Sequence, residues 1–243
     1  MSIFDRDPAD WIDLQRLVAQ LFHEIGCEVS IGERVTLVRG QKEIDVLVKD
    51  SGTVPSSTYL CECKYWAKAI PQEVVHAFRT VVSDFGANRG FIVSRAGFQS
   101  GAREAVVATN IELVTFAELQ ALYFNRWKEA LWTTFSPCAD FLFPYHDYLS
   151  SKPFPTPRKG NETERQQLLY EAYRPLLRLG PLQKMEGFTY PGWLPMTVPT
   201  LDEDGNAAGT LTIRTMRELY DFCSTHKDSA VRHFRVLHGE KVD

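Results

Sequence analysis

No apolar run in the 243 residues approaches the roughly 20 needed to cross a bilayer, which argues against a membrane-spanning helix. The opening MSIFDRDPADW has neither a basic n-region nor an apolar h-region, so no secretory signal is expected and the cytoplasm is the expected address. Cysteine is sparse. The five are odd in number, with no C-x-x-C pair and no histidines at zinc spacing, which speaks against a disulfide framework or a zinc module and for buried reduced thiols. Positive charge is short as well: 27 basic residues face 31 acidic ones, for a formal net charge of −4. Nucleic acid could be held only by a local patch, with a divalent cation in a carboxylate site making up part of the missing charge. Repeats and low-complexity tracts are absent too.

Hydrophobic residues make up 44% and charged residues 24%, the mix of a globular protein long enough for one or two domains. After Asp10, a possible N-cap, apolar residues at Trp11, Leu14, Leu17, Val18, Leu21, Phe22 and Ile25 predict a helix that Gly26 ends. Two short strands, CEVSI and RVTLVRG, are expected next, then a strand over IDVLVKD. The polar turn DSGTVPSST leads to another strand, TYLCECKYW. Helical spacing returns over IPQEVVHAFRTVVSDFG. GFIVS then reads as a strand, SGAREAVVATN as a short helix, IELVTF as a last strand, and FAELQALYFNRWKEALW as a helix. This order of elements predicts an α/β fold around a mixed sheet.

Beyond Trp132 the pattern changes. We expect three regions: residues 1–125 as one domain, 126–160 as an irregular, proline-rich linker or arm, and 161–243 as a smaller, mostly helical or irregular C-terminal region. The last holds a helix at ETERQQLLYEAYRPLLRLG, a hairpin with DEDGN at its tip, and strand running into helix over LTIRTMRELYDFCSTH and SAVRHFRVLH. Its aromatics, Tyr145, Tyr148, Phe154, Tyr170, Tyr173, Tyr190 and Trp193, suit core packing better than base stacking. Arg214, Arg217, Arg232 and Arg235 with His226, His233 and His238 make its end mildly basic, and no histidine pair there has a convincing metal partner set.

One constellation carries chemistry. Asp45 lies 17 positions before Glu62, and Glu62-Cys63-Lys64 sets an acid and a base two apart in a strand. Period-two alternation sends Glu62 and Lys64 to one face and Cys61 and Cys63 to the other. Two carboxylates from adjacent strands can hold Mg²⁺, a hard ion that prefers oxygen, and a lysine beside them can stabilise charge on a phosphoryl oxygen. An E-x-K triplet alone is commonly a solvated pair. Here the bulky flanks Tyr59, Leu60, Tyr65 and Trp66 predict a covered strand, where an acid and a lysine are costly unless they serve a site.

The order LVAQLFHEIGCEV, EIDVLVKD, YLCECKYW and GFIVSRAGFQSGAREAVVATNIELVTF resembles the Mrr-type restriction endonuclease domain of the PD-(D/E)xK nuclease superfamily, over roughly residues 11–120. The resemblance implies a restriction-endonuclease-like mixed sheet flanked by helices. It makes Asp45 and Glu62 ligands of Mg²⁺ (with Mn²⁺ as a substitute) and Lys64 the catalytic lysine. It implies a deoxyribonuclease with DNA as partner and a role in restriction or antiviral defence. Two positions depart from the family pattern. An acid usual on the first helix is replaced by Leu14-Gln15, leaving Gln15, Asp13 or Glu24 as stand-ins, and the glycine usual before the aspartate is absent. Gln72 and His76 are possible accessory residues. Lys68, Arg95 and Lys42 lead the candidates for phosphate contacts, which position nucleic acid without reading its sequence.

With no reader domain of its own in sight, such a nuclease is expected to depend on a partner subunit, a homodimer or an activating signal. Two other readings stay open: a structure-specific repair nuclease acting on branched DNA or RNA, and a catalytically idle nuclease fold that binds nucleic acid or protein.

Overall fold

The computed structural model describes residues 2–38, 40–145, 161–180 and 192–241. The chain divides into two compact units, Met1–Ala130 and Leu131–Asp243. Among the described residues, no helix is long and apolar enough to cross a membrane.

The first unit opens with helix α1 (Trp11–Glu24), where the Asp10 carboxylate accepts from the Asp13 N–H at its start. Gly26, at φ +86°, ends it as expected, with Cys27 N–H donating to Phe22 C=O and Gly26 N–H to His23 C=O, a paired helix-end motif. Strand β1 (Glu28–Leu37) follows as one ten-residue strand. Gly32, at φ +67°, falls where two strands were expected, and a local kink takes the place of a chain break. Next come β2 (Gly40–Asp50), β3 (Ser57–Lys64), α2 (Gln72–Phe85), β4 (Arg89–Ser94), α3 (Ser100–Glu104), β5 (Ile111–Thr115) and α4 (Phe116–Leu142).

The five strands form one sheet in sequence order. β1, β2 and β3 run antiparallel, while β3, β4 and β5 run parallel through the α2 and α3 crossovers. The mixed sheet flanked by helices is the fold class expected. On the α2 side, Val75, Phe78 and Val82 pack on Ile44, Leu47, Leu60, Ile92 and Ile111. Phe22 of α1 and Tyr123 of α4 meet Tyr59 and Phe91 of the sheet, with the Phe22–Tyr123 ring centroids 4.9 Å apart. Close packing of α2 on β4 requires Gly90. A Cβ there would stand 2.6 Å from Val82 Cγ2, 2.7 Å from Ile111 Cδ1 and 2.8 Å from Phe78 Cε1. Gly90→Ala is therefore expected to destabilise this unit by about 1–3 kcal/mol in denaturant unfolding, through overpacking alone.

The irregular arm expected over residues 126–160 is helical over its first part. α4 continues through Ser136-Pro137-Cys138 to Leu142, and a 3₁₀ turn covers Phe143–Tyr145. Buried Trp127, Leu131, Phe135 and Ala139, spaced four apart, keep a helical stripe going that outweighs the one hydrogen bond Pro137 cannot donate. The rest of the arm, with Tyr148 and Phe154, lies outside the described residues, as does Tyr190.

In the second unit, α5 (Asn161–Leu177) packs with hairpin β6 (Met196–Leu201) and β7 (Ala207–Ile213) and with α6 (Met216–Leu237). The DEDGN tip forms as expected: the Asp202 carboxylate accepts from the Asp204 and Asn206 N–H groups, and Gly205 takes φ +80°. α6 is a single helix over both segments read separately, opened by a Thr215–Glu218 capping box. Tyr145 and Tyr173 are buried against Phe234. Arg217 bonds Asp221, and Arg235 bonds Glu240.

Candidate active site

The site sits where the ladder between β2 and β3 gives way. That ladder runs from Asp50↔Ser57 to Val46↔Cys61 and stops. On the other side, β1 pairs with β2 at Ile31↔Val46 and Glu33↔Ile44, skipping Asp45. Asp45 thus has no ladder partner on either neighbour. Its side chain takes over the bonding: Oδ2 accepts the Cys63 N–H at 2.7 Å. A side-chain carboxylate here stands in for a backbone carbonyl.

β3 carries the other two groups and stays paired with β4 up to Lys64↔Ser94, which fixes their direction. Glu62 is buried, and its Oε1 accepts from Lys64 Nζ at 2.5 Å. Burial pushes the Asp45 carboxyl pKa above the usual range. The Cys63 N–H works against that shift, Glu62 adds to it as a nearby like charge, and Lys64 and Lys42 oppose it. Asp45, Glu62 and Lys64 are therefore brought together, with Lys42 close enough to be felt. The Cys61 and Cys63 thiols are buried and pushed well away from thiolate formation by desolvation, so neither is a nucleophile.

A cavity of about 350 Å³ opens here, lined by Trp11, Gln15, Asp45, Cys63, Lys64, Tyr65 and Trp66. Gln15 thus reaches the site from α1. The other helical stand-ins do not line the cavity. Asp13 is held by Arg6 and the Ala9 N–H, which bring its pKa down to about 2. Glu24 lies nine residues beyond Gln15, about 13 Å along the helix, and accepts from the Trp127 indole at 2.6 Å and from Gln20. His76 lines a separate surface hollow with Arg79, Ser83, Asp84 and Asn110, and Gln72 lies over Gly101 at the start of α3. Lys68 is exposed on the loop after β3. The Arg95 guanidinium stacks 4.6 Å from the centroid of the Tyr65 ring beside the cavity.

The sequence reading missed the aromatic rim. Trp11 belongs to the apolar spacing that predicts the first helix and Trp66 to the bulky flanks that predict a covered strand, yet they are 58% and 45% exposed. Trp11 is the first residue of α1, so no preceding turn covers it, and Trp66 lies past the end of β3. A tryptophan at the first helical position and another two residues after the E-x-K lysine were the available signals.

Residues 6–123 match a family model described as restriction endonuclease, Mrr_cat. This span is an Mrr_cat restriction endonuclease domain. No curated protein matches the chain. Two solved structures align with it. One is a protein of unknown function, AF1548, at 16% identity and a TM-score of 0.38, covering 93% of this chain and 97% of that one. The other is the DNA modification-dependent restriction endonuclease AspBHI, at 13% identity and a TM-score of 0.34, covering 54% of this chain and 42% of that one. In the Mrr_cat domain, Asp45, Glu62 and Lys64 all fall inside the matched span, as do Gln15 and the aromatic rim.

Two carboxylates are the oxygen donors that a hard divalent cation requires. Among the described residues no cluster of three or more His, Cys, Asp or Glu could hold a metal. The fit therefore rests on Asp45 and Glu62. The Asp45 carboxyl pKa is raised by burial first and further by the like charge of Glu62, and a cation held by these residues would favour its charged form.

Proposed function

We propose that the Mrr_cat domain is a divalent-metal-dependent endonuclease that hydrolyses DNA phosphodiester bonds, acting in the cytoplasm in restriction or antiviral defence. The observation that carries this reading is that Asp45 and Lys64 line one cavity, with Glu62 bonded to Lys64 beside it, where the β2–β3 ladder ends. Asp45 and Glu62 would hold Mg²⁺ or Mn²⁺, which supplies Lewis-acid polarisation of a phosphoryl oxygen and a more acidic bound water. Lys64 places an ammonium where negative charge builds as a water oxygen attacks phosphorus and the ester oxygen leaves with a proton. Gln15 offers an uncharged amide at the place of a helical acid. Residues 161–243 are proposed to serve targeting, regulation or assembly, through a partner subunit or homodimer that restrains cutting.

Incubating the full chain with supercoiled plasmid and MgCl₂ or MnCl₂ tests the reading. Nicked or linear product is expected from the wild type and none with EDTA. Lys64→Ala should lower the rate by about 10²–10³-fold through loss of one preorganised charge. Equal inertness of wild type, Asp45→Ala and Lys64→Ala would overturn nuclease activity of the chain.

A further inference from the structure

The rim of the site says what form of DNA enters it. We infer that Trp11 and Trp66 form a stacking rim for an unstacked nucleotide, so that the substrate is DNA with unpaired bases at the cut rather than an intact duplex. This inference rests on the nuclease reading above and names its substrate class.

Two tryptophans from separate elements border one cavity with more than two-fifths of their surface open, while Trp127 in the same unit is fully buried. Large flat apolar faces beside a phosphodiester-type site suit a nucleobase, whose own π-face is hidden within a duplex and available only when the base is unpaired or turned out. The rim is also held in place. The Tyr65 hydroxyl reaches the Pro8 and Ala9 carbonyls, at 3.1 and 2.9 Å, tying the turn after β3 to the chain that enters α1. Arg95 covers the Tyr65 ring, and Lys64 Nζ lies 5.7 Å from the centroid of a Trp66 ring. Trp66 thus follows directly on a fixed residue and flanks the site lysine.

Size and charge agree. About 350 Å³ is at the lower end of the roughly 300–1,000 Å³ that pockets for small organic groups occupy, room for one nucleotide. The chain carries a net charge of −4, and the first 120 residues are themselves acidic in balance. Binding by neutralising many duplex phosphates is therefore poorly supplied, whereas stacking on aromatic faces needs no net charge.

Fluorescence anisotropy of the full chain in EDTA measures binding without cleavage. The probes are a fluorescein-labelled 20-mer DNA single strand and the same sequence as a duplex. The single strand is expected to bind more tightly and to quench tryptophan emission. Trp11→Ala and Trp66→Ala should each weaken single-strand binding about 5- to 100-fold and leave duplex binding within about twofold, while Trp11→Phe and Trp66→Phe retain most of the affinity. Equal affinity for the two forms, no measurable single-strand binding, or alanine variants that bind as the wild type does would overturn the inference. So would a dimer-to-monomer shift of the alanine variants in size-exclusion chromatography with unchanged DNA binding, since the rim would then be a contact between copies. Cleavage is scored separately with MgCl₂ on a bubble and a full duplex. No cleavage of either, with single-strand preference intact, overturns the nuclease reading and supports the stacking rim.

Discussion

Asp45→Asn is expected to abolish cleavage and at the same time raise the melting temperature of the N-terminal unit. The Asp45 carboxyl is pushed above the ordinary carboxylate value of about 3.9, first by burial and further by Glu62. A raised folded-state pKa means that this group favours the fold at pH values below about 4. That contribution is lost as pH rises through the raised value, so at pH 7 the ionised form costs stability. Asparagine removes the charge and keeps an oxygen for the Cys63 N–H. Asp45→Ala removes both and leaves a backbone donor unsatisfied in a half-buried place, so it should melt below Asp45→Asn. Both variants should lose about a thousand-fold or more in cleavage, the scale of losing a cation's several kcal/mol of charge stabilisation. Differential scanning calorimetry with and without MgCl₂ checks the argument. The divalent ion should raise the wild-type melting temperature by mass action and leave Asp45→Asn unmoved. A lower melting temperature for Asp45→Asn than for the wild type would contradict it. The wild-type cleavage rate should also fall toward acid, at a higher pH than an ordinary aspartate would set, as Asp45 takes up its proton.

The largest loss of stability is expected from Arg126→Ala, a residue outside the cavity. Asp50, at the end of β2, is fully buried. It accepts from Arg126 Nη1 and Nη2 at 2.5 and 2.7 Å, from the Tyr59 hydroxyl at 3.1 Å and from the Gly52 N–H at 3.0 Å. The Arg126 hydrogen bonds hold the Asp50 carboxyl down to about 2 against the cost of burial. Truncating Arg126 strands that charge, a change that costs roughly 3–5 kcal/mol for a buried pair. The one-third exposure of Arg126 puts the expected value near about 3 kcal/mol. Here the pKa is depressed, so the sign is opposite to that of Asp45. The pair stabilises the fold above about pH 4, and that stability is lost as pH falls from 4 toward 2. Urea unfolding of wild type and Arg126→Ala at pH 7 and pH 3 should show the difference between them narrowing at the lower pH. An unchanged gap would refute the assignment.

Asp45, Glu62, Lys64 and the mixed sheet were legible in the sequence because they are written in local periodicity and in the order of elements. Alternation along CECK set the direction of the acid and the lysine, and the helix before β1 carried its N-cap and closing glycine in plain view. What was not legible depends on partners distant in sequence. Glu24 looked like a spare site acid until Trp127, 103 residues on, was seen to hold it. The Asp50–Arg126 pair, 76 residues apart, left no local trace. Trp11 satisfied a helical stripe and yet opens outward, because periodicity counts angle around an axis and not whether the axis has a neighbour at its first turn. Pro137 marked a break by composition, and the stripe of buried residues spaced four apart overrode it.

Residues 2–9 have a bearing on when the candidate site can take shape. The Gln120 side-chain oxygen accepts from the Ser2 hydroxyl and from the Ile3 and Phe4 N–H groups, and Phe4 stacks on Phe116. The same N-terminal stretch supplies, at Pro8 and Ala9, the carbonyls that hold Tyr65 at the cavity. On the ribosome, the Gln120 oxygen becomes available to residues 2–4 only when position 120 has emerged, long after Asp45, Glu62 and Lys64. The wall of the site is thus fastened by the last part of the domain to be made. A polypeptide cut short before Gln120 would carry every charged residue of the site without the clasp that shapes it.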